Sequence, residues 1–135
     1  MRGSLQSYRK VSIDSSIGVA SPHKVIQMMF SGALERLAQG RYAIEQNNLE
    51  LKGVSLGKAI SIVAGLNSSL NMEAEGDVAS NLSALYDFMI RRISEANLNN
   101  DVKAIDDATD ILRVIKEAWD TIPSEQHELS SAGLL

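Results

Sequence analysis

The stretch SPHKVIQMMFSGALERLAQGRYAIEQNN, residues 21–48, decides the fold class. Ser21 is a preferred N-cap and Pro22 favours the first helical position, so the stretch predicts the start of a helix. Apolar or small residues then recur at spacings of 4, 3, 4, 3 and 4, at Ile26, Phe30, Ala33, Leu37, Gly40 and Ile44. This spacing predicts one helix from about Pro22 to about Gln46.

Three further segments repeat the same helical period. Their core positions are Leu56, Ala59, Val63, Leu66 and Leu70, then Val78, Leu82, Leu85, Met89 and Ile93, then Val102, Ile105, Ala108, Leu112, Ile115, Trp119 and Ile122. We predict helices over about 49–71, 78–97 and 102–122, the last ended by Pro123. Short loops force neighbouring helices to be antiparallel, so the predicted fold is all-α, an antiparallel up-and-down four-helix bundle.

The chain length predicts one domain, because 135 residues match the usual size of a single core. We expect a flexible N-terminal arm over 1–20, the bundle over 21–122 and a disordered polar tail over 123–135. No stretch approaches the roughly 20 apolar residues that a spanning helix needs, and the start is too short and polar for a secretory signal. We therefore expect a cytoplasmic protein without direct membrane insertion.

The composition also argues against several kinds of site. There are no cysteines and two histidines, so we expect no metal, no cofactor and no catalytic thiol. The 13 basic and 17 acidic residues give a net charge of −4, which argues against a nucleic-acid partner.

The search for catalytic motifs is negative: the chain has no G-x-S-x-G, Walker or H-E-x-x-H motif. One acidic face lies on the fourth predicted helix, with Asp106, Asp110, Arg113, Glu117 and Asp120. We interpret it as a solvated face in which Asp110 and Arg113 pair. His23, Arg91 and Arg92 are interpreted as surface residues in the same way. The protein is therefore predicted not to be an enzyme.

The second predicted helix carries a row of small residues away from its core positions. This small-residue stripe consists of Gly53, Gly57, Ser61, Ala64 and Ser68. Glycine inside a helix costs about 1 kcal/mol relative to alanine, so two on one stripe need a reason. Two explanations stay open: close packing of a neighbouring helix of the same bundle, or a shallow groove that admits a helix of another protein. Ile60 would form the wall of that groove.

Surplus apolar residues elsewhere favour a docking surface. On the fourth helix Ala104, Ile111 and Ala118 lie beside the core positions and Val114 lies further round, although a bundle helix needs only about 100° of apolar face. This surplus is either a partner site or a surface covered by the arm. With the start of the first helix and the arm, the candidate partner-binding residues are Tyr8, Val11, Ile13, Val25, Met28, Gly53, Gly57, Ile60, Ser61, Ala64, Ser68, Ile111 and Val114.

Several motifs resemble those of one known family. The sequence SPHKVIQMMFSGAL at 21–34 resembles the S-P-x-x-L-I-x-M-L-Y-x-G-A-L signature of the FliS family of flagellin-specific export chaperones. Further similarity lies in NLxxLYDFM at 81–89, ANLxND at 96–101, AW at 118–119 and the aromatic Tyr8. Phe30 and Gly40 depart from the family pattern, which usually has Tyr and Ala there. We expect Gly40 to loosen the middle of the first helix.

The resemblance implies a cytosolic four-helix bundle that binds the C-terminal segment of flagellin, which is disordered in the monomer. Such a chaperone prevents early polymerisation and keeps its client competent for flagellar type III secretion. The resemblance further implies that the client wraps around the bundle and that the arm covers part of the binding surface. The flagellar export apparatus and an anti-sigma factor are further candidate partners. The alternative is a helical adaptor or a weak homodimer that uses the same apolar groove.

Overall fold

Four helices account for most of the chain that the computed structural model describes, residues 20–122. They are α1 (Pro22–Glu45), α2 (Leu49–Ser68), α3 (Val78–Asn99) and α4 (Val102–Asp120). Each helix packs on its neighbours in sequence, and α1 also packs on α4, which closes a ring of four. The predicted all-α four-helix bundle is confirmed. The arm residues Tyr8, Val11 and Ile13, and the tail from Pro123, lie outside the described residues.

Polar contacts between helices show that neighbours run antiparallel. Between α1 and α4, Gln27 Nε2 donates to Asp120 Oδ1 (2.9 Å), whereas Arg41, near the other end of α1, donates from Nε to Asp106 Oδ1 (2.9 Å). Low numbers on α1 therefore face high numbers on α4. Lys52 Nζ likewise donates to Asn100 Oδ1 (2.7 Å), joining the start of α2 to the end of α3.

Side-chain caps define three of the four helix starts. The Ser21 hydroxyl accepts from the Lys24 amide (3.1 Å), which confirms the predicted start of α1. Asn48 caps α2 and Asp101 caps α4 through equivalent bonds to the third residue on. Each bond satisfies an amide that has no partner inside its helix.

Three helix ends differ from the predicted ones by two or three residues, and one of them is that of α4, which ends at Asp120 rather than at about 122. α2 ends at Ser68, three residues early, and the Ser69 hydroxyl donates to the Gly65 carbonyl (2.9 Å) at that point. α3 continues to Asn99, because Asn100 adopts a left-handed conformation (φ +56°) that ends a helix and that asparagine tolerates well.

The predicted core stripes of α1, α2 and α4 are buried for most of their length, but that of α3 is rotated. Val78 is 54% and Leu85 39% exposed, although both were predicted to be in the core. Tyr86 is buried instead, and burial raises the pKa of its phenol to about 12. The buried face of α3 is Ala79, Tyr86, Met89, Ile93 and Ala96. The spacing allowed both faces, and the larger aromatic side chain occupies the core.

His23 is also misplaced by the sequence analysis, which put it on the surface. It is 1% exposed and its ring stacks on Trp119, with centroids 4.5 Å apart and an interplanar angle of 10°. The indole Nε1 of Trp119 donates to the His23 carbonyl (3.1 Å). This pair joins the start of α1 to the end of α4. The prediction failed because it took His23 as part of a helix end and had no means to place α4 beside it.

Gly40 has a packing role that the sequence analysis did not assign. α1 runs unbroken through it, and Gly40 is buried against α2. A Cβ atom at this position would lie 2.3 Å from Cδ2 and 2.8 Å from Cγ of Leu56, which is itself fully buried. Instead of loosening α1, the glycine makes room for Leu56.

We predict that Gly40→Ala lowers the free energy of unfolding, even though alanine is the better helix former. Overpacking costs about 1–3 kcal/mol, whereas the gain in helix propensity is about 1 kcal/mol. The net loss should be up to about 2 kcal/mol, measured by urea denaturation. Gly57→Ala is the matched control. It has no heavy atom within 4 Å of the new Cβ, so it should raise stability by about 0.5–1 kcal/mol. Equal stabilisation by both changes would contradict the packing role.

Candidate functional site

The small-residue stripe lies on the outer face of α2. All five of its residues are exposed. A Cβ atom added at Gly53 or Gly57 would meet nothing within 4 Å. Within residues 20–122, close packing of a bundle helix is therefore not the reason for these glycines. Ile60 is half-buried against the core at the edge of the stripe, where the sequence placed it.

A second open surface lies at the start of α1. Val25 is 44% and Met28 57% exposed. Val25 also lines an open depression of about 440 Å³ together with Ala20, Pro22, Ile26 and Ser69. Since Ser69 directly follows α2, this depression connects the start of α1 with the C-terminal end of the small-residue stripe.

The surplus apolar surface of α4 is smaller than predicted. Ala104 is fully buried and belongs to the core, and Ile111 is half-buried against it. Val114 is 66% exposed and Ala118 is exposed. The solvent-exposed part of this apolar surface is therefore confined to the side of α4 that faces α3.

An ion pair fixes how α3 and α4 lie against each other. Arg92 Nη2 donates to Asp107 Oδ2 (2.8 Å), and Lys103 Nζ donates to the other carboxylate oxygen (3.1 Å). The helices are antiparallel, so residues one and two turns before Arg92 lie beside residues one and two turns after Asp107.

An apolar strip follows this junction on both helices. We call it the apolar seam; it consists of Leu85, Phe88, Ile111, Val114 and Ala118. Phe88 is 37% exposed and Leu85 39%, which leaves large apolar side chains open to solvent. The sequence analysis missed Phe88 and assigned Leu85 to the core. Phe88 lies four residues and Leu85 seven residues before Arg92, and this helical spacing is the signal that would have placed both beside the ion pair.

The candidate residues do not form one surface. α2 and α4 stand diagonally in the ring, so the small-residue stripe and the apolar seam face different sides of the bundle. The stripe and the depression near Val25 are neighbours, whereas Ile111 and Val114 lie on the seam. Tyr8, Val11 and Ile13 are outside the described residues.

The acidic face of α4 is more than a solvated surface. Asp106 pairs with Arg41 of α1, and Asp107 pairs with Arg92 of α3. The expected pair between Asp110 and Arg113 is not among the ion pairs of residues 20–122. The hydrogen bond from Arg92 is the main reason why the pKa of Asp107 lies below its usual value. These carboxylates therefore connect helices.

No group of three potential metal ligands comes together within residues 20–122. None of the four helices is both long and apolar enough to cross a membrane. A helical bundle with large apolar side chains left exposed on it defines a class, that of helical binding modules.

Comparisons with known proteins identify the family within this class. The model of the family described as "Flagellar protein FliS" matches residues 4–126. The chain is 54% identical over 132 residues to the flagellar secretion chaperone FliS of Vibrio cholerae, covering 98% of this chain and 97% of that protein. It is 44% identical over 119 residues to the Salmonella typhimurium chaperone of the same name, covering 87% and 88% of the two chains.

The chain belongs to the FliS family. A more distant relative, the flagellar secretion chaperone FliS of Bacillus subtilis, is 30% identical over 120 residues, or 88% of this chain and 89% of that protein. The resemblance seen in the sequence is confirmed. FliS is a chaperone family, so the prediction of a protein that is not an enzyme is confirmed by membership.

The Asp107 pairing predicts a pH-dependent stability. A carboxylate whose pKa is lowered by folding stabilises the folded state above its unfolded pKa of about 3.9, and this contribution is lost as the pH falls through the folded pKa. Asp107→Asn should therefore lower the urea midpoint at pH 7, and the difference from wild type should shrink as the pH falls below about 4 and vanish only below the lowered pKa of the folded state. Asp110→Asn is the control, because Asp110 is exposed and has no ion pair within 20–122. It should leave the urea midpoint unchanged both at pH 7 and at low pH. A difference that stayed constant with pH would show that the charge of Asp107 is not responsible.

Proposed function

We propose that this protein is a cytosolic export chaperone that binds the disordered C-terminal segment of flagellin. It prevents early polymerisation and keeps the subunit competent for flagellar type III secretion. The observation that carries the proposal is the near full-length match to proteins named flagellar secretion chaperone. Large apolar side chains left open on a small bundle support it, because such surfaces usually mark a binding site.

The separation of the two apolar surfaces supports a client that wraps around the bundle. A segment that contacts both the small-residue stripe on α2 and the apolar seam on the opposite side has to pass around at least one other helix. A disordered client can do this, since it orders only on docking. The ordering cost reduces the affinity per unit area, so an extensive interface is needed.

The small residues of the stripe suit this role on α2. Without side chains at Gly53 and Gly57, the backbone of a client segment can approach α2 closely. Ile60 at the edge supplies an apolar wall for it. We assign Val25 to the same interface, because the depression that it lines also includes Ser69 at the C-terminal end of α2. Met28 lines another depression, together with Lys116 of α4, and we assign it to the client interface because it is 57% exposed.

The arm is assigned to the binding surface as a reversible cover. Burial of Tyr8, Val11 and Ile13 would contribute about 1.5–3 kcal/mol each, and ordering the backbone costs about 1–2 kcal/mol per residue. The two nearly cancel, so a client with more contacts can displace the arm. Ala20, where the arm meets the bundle, lines the depression at the start of α1. The export apparatus and an anti-sigma factor remain further proposed partners, and release needs no nucleotide.

We predict that Gly57→Leu and Ala64→Leu each weaken binding of the flagellin C-terminal segment by about tenfold or more, because a bulky side chain on the stripe costs about 1–3 kcal/mol against a close-fitting partner. Neither change should lower thermal stability, since both positions are exposed, and Gly57→Leu should raise it slightly because it removes a helical glycine. The measurement is isothermal titration calorimetry with purified protein and the segment.

Lys58→Leu is the matched control, because it adds the same side chain to α2 about 100° away from the stripe. It should leave the affinity unchanged. Wild-type protein that fails to bind the segment would contradict the proposed function. Normal binding by both stripe variants would instead remove the stripe from the interface. A wild-type dimer that the segment does not dissociate would favour the homodimer.

A further inference from the structure

The junction between the start of α1 and the end of α4 is built around a buried imidazole. His23 is 1% exposed, both of its ring nitrogens are shielded from water, and its ring lies flat on the indole of Trp119. Trp119 Nε1 donates to the His23 carbonyl, so a hydrogen bond joins the two residues as well as the stack. An ionisable side chain thus occupies the contact that holds these two helix ends together.

The surroundings of the ring favour its neutral form. Burial makes a charge costly, because an imidazolium ion would lose its hydration. His23 is also the second residue of α1, where the aligned peptide dipoles place a partial positive charge and disfavour a cation. Lys24, the next residue, lines a depression together with Lys116 of α4, so two further positive charges lie at this end of the bundle.

Two groups at the junction favour the charged form, and both act weakly. Asp120 is the carboxylate of α4 that faces the start of α1, but it is exposed and already accepts hydrogen bonds from Gln27 and Lys116. Of the influences that lower the pKa of Asp120, the charge of His23 is the smallest. The face of Trp119 attracts a cation, but this attraction is smaller than the cost of desolvating an imidazolium ion.

The other elements at this end bring no ionised group to the ring. Within the described chain, α2 has no ionisable residue over 59–68 and α3 has none over 78–85. The loop between them carries three exposed carboxylates, Glu73, Glu75 and Asp77. Glu117 is exposed about 160° round α4 from Trp119, and Glu35 lies about 18 Å further along α1. Exposed charges at such positions are screened by solvent and salt.

We propose that the stack of His23 on Trp119 is a proton-operated latch, which holds the start of α1 on the end of α4 while the imidazole is neutral and opens when the imidazole takes up a proton. Pro22, Val25 and Ile26 lie within three residues of His23 and line the depression assigned to the client, so opening changes the shape of that depression. For this effect on the client the inference rests on the proposed function, whereas the latch itself does not.

The pH range of the latch follows from linkage. In the open state the imidazole is in water and takes up its proton near pH 6.5, whereas in the closed state it stays neutral to a lower pH. The latch is therefore fully effective above about pH 6.5 and weakens below it. Between pH 7.5 and pH 5.5 the ratio of open to closed molecules should rise about 5–10-fold. Asp107 and Asp120 stay ionised in this range, since their pKa values lie below the usual value of an aspartate.

The indole N–H of Trp119 reports on the latch, because it is bonded to the His23 carbonyl and is the single indole of the chain. In the full-length ¹⁵N-labelled protein, its hydrogen exchange with water, corrected for the intrinsic rate, gives the ratio of open to closed molecules. We expect this ratio to be about 5–10-fold larger at pH 5.5 than at pH 7.5. Opening of the latch exposes little surface, so the ratio should not respond to low concentrations of urea.

Two results would overturn the latch. Exchange of the indole that slows in acid would show that Asp120 holds the imidazolium ion and closes the junction. Exchange that rises with urea in step with the amides of the buried core would show that the junction opens only when the whole bundle unfolds, so that His23 contributes to stability alone.

Variants of the two histidines assign the response. His23→Phe keeps a ring beside Trp119 that takes up no proton, so its opening ratio should be the same at both pH values. His23→Gln tests the same point with a polar side chain and keeps the experiment decisive if the phenyl variant fails to fold. His127→Gln is the matched control, because it removes the other histidine of the chain and should retain the full response. A response that survives in both His23 variants would contradict the latch.

The flagellin C-terminal segment separates the latch from the proposed function. If the segment binds the closed depression, it should lower the opening ratio at pH 5.5. By reciprocity its affinity should be lower at pH 5.5 than at pH 7.5 for wild type, and this difference should be smaller for His23→Phe. A segment that binds without changing the opening ratio would overturn the link between latch and client, and the proposed function would stand. A segment that binds at neither pH would overturn the proposed function, whereas the indole exchange of the free protein would still decide on the latch.

Discussion

The close approach of α1 and α2 sets the arrangement of the other surfaces. Gly40 leaves space that Leu56 fills, and a Cβ atom at Gly65 would lie 3.0 Å from the methyl carbon of Met29. Each helix thus has one glycine that makes room for a side chain of the other helix. These two close contacts allow only one face of α2 to turn inward. The small-residue stripe, more than a quarter turn away from that face, is therefore exposed. A change in the packing at Gly40 would rotate the stripe as well as reduce stability.

The periodicity of the sequence predicted the features that depend on one helix at a time. Ser21 is a helix cap in the structure, and the stripe through Phe30 and Leu37 is buried. The features that were missed depend on which helices become neighbours. His23 is buried because Trp119 stands beside it, and the register of the apolar seam follows from an ion pair between two helices. The α3 face was wrong because Leu85 and Tyr86 both fit the helical period, and only packing against the other helices distinguishes them.

The same distinction holds for the candidate binding residues. The place of the small-residue stripe on one face of α2 could be predicted, since glycines in a helix are costly and need a reason, but the sequence left open whether a helix of the bundle packs against it. The division of the candidate residues into two surfaces could not, because it depends on α2 and α4 standing diagonally in the ring. This division agrees with the wrapped client that the family resemblance implies, rather than with a single groove. The ion pairs of Asp106 and Asp107 join α4 to both of its neighbours.

The stacking of His23 on Trp119 also gives the protein an intrinsic optical probe. Trp119 is the single tryptophan of the chain, and its indole is 6% exposed at the point where the start of α1 meets the end of α4. Its emission therefore reports on one defined junction of the bundle. The depression beside Pro22 and Val25 adjoins this junction, so separation of α1 from α4 there would expose the indole to water and move its emission to longer wavelength. Events at this end of the molecule can thus be followed without any attached label.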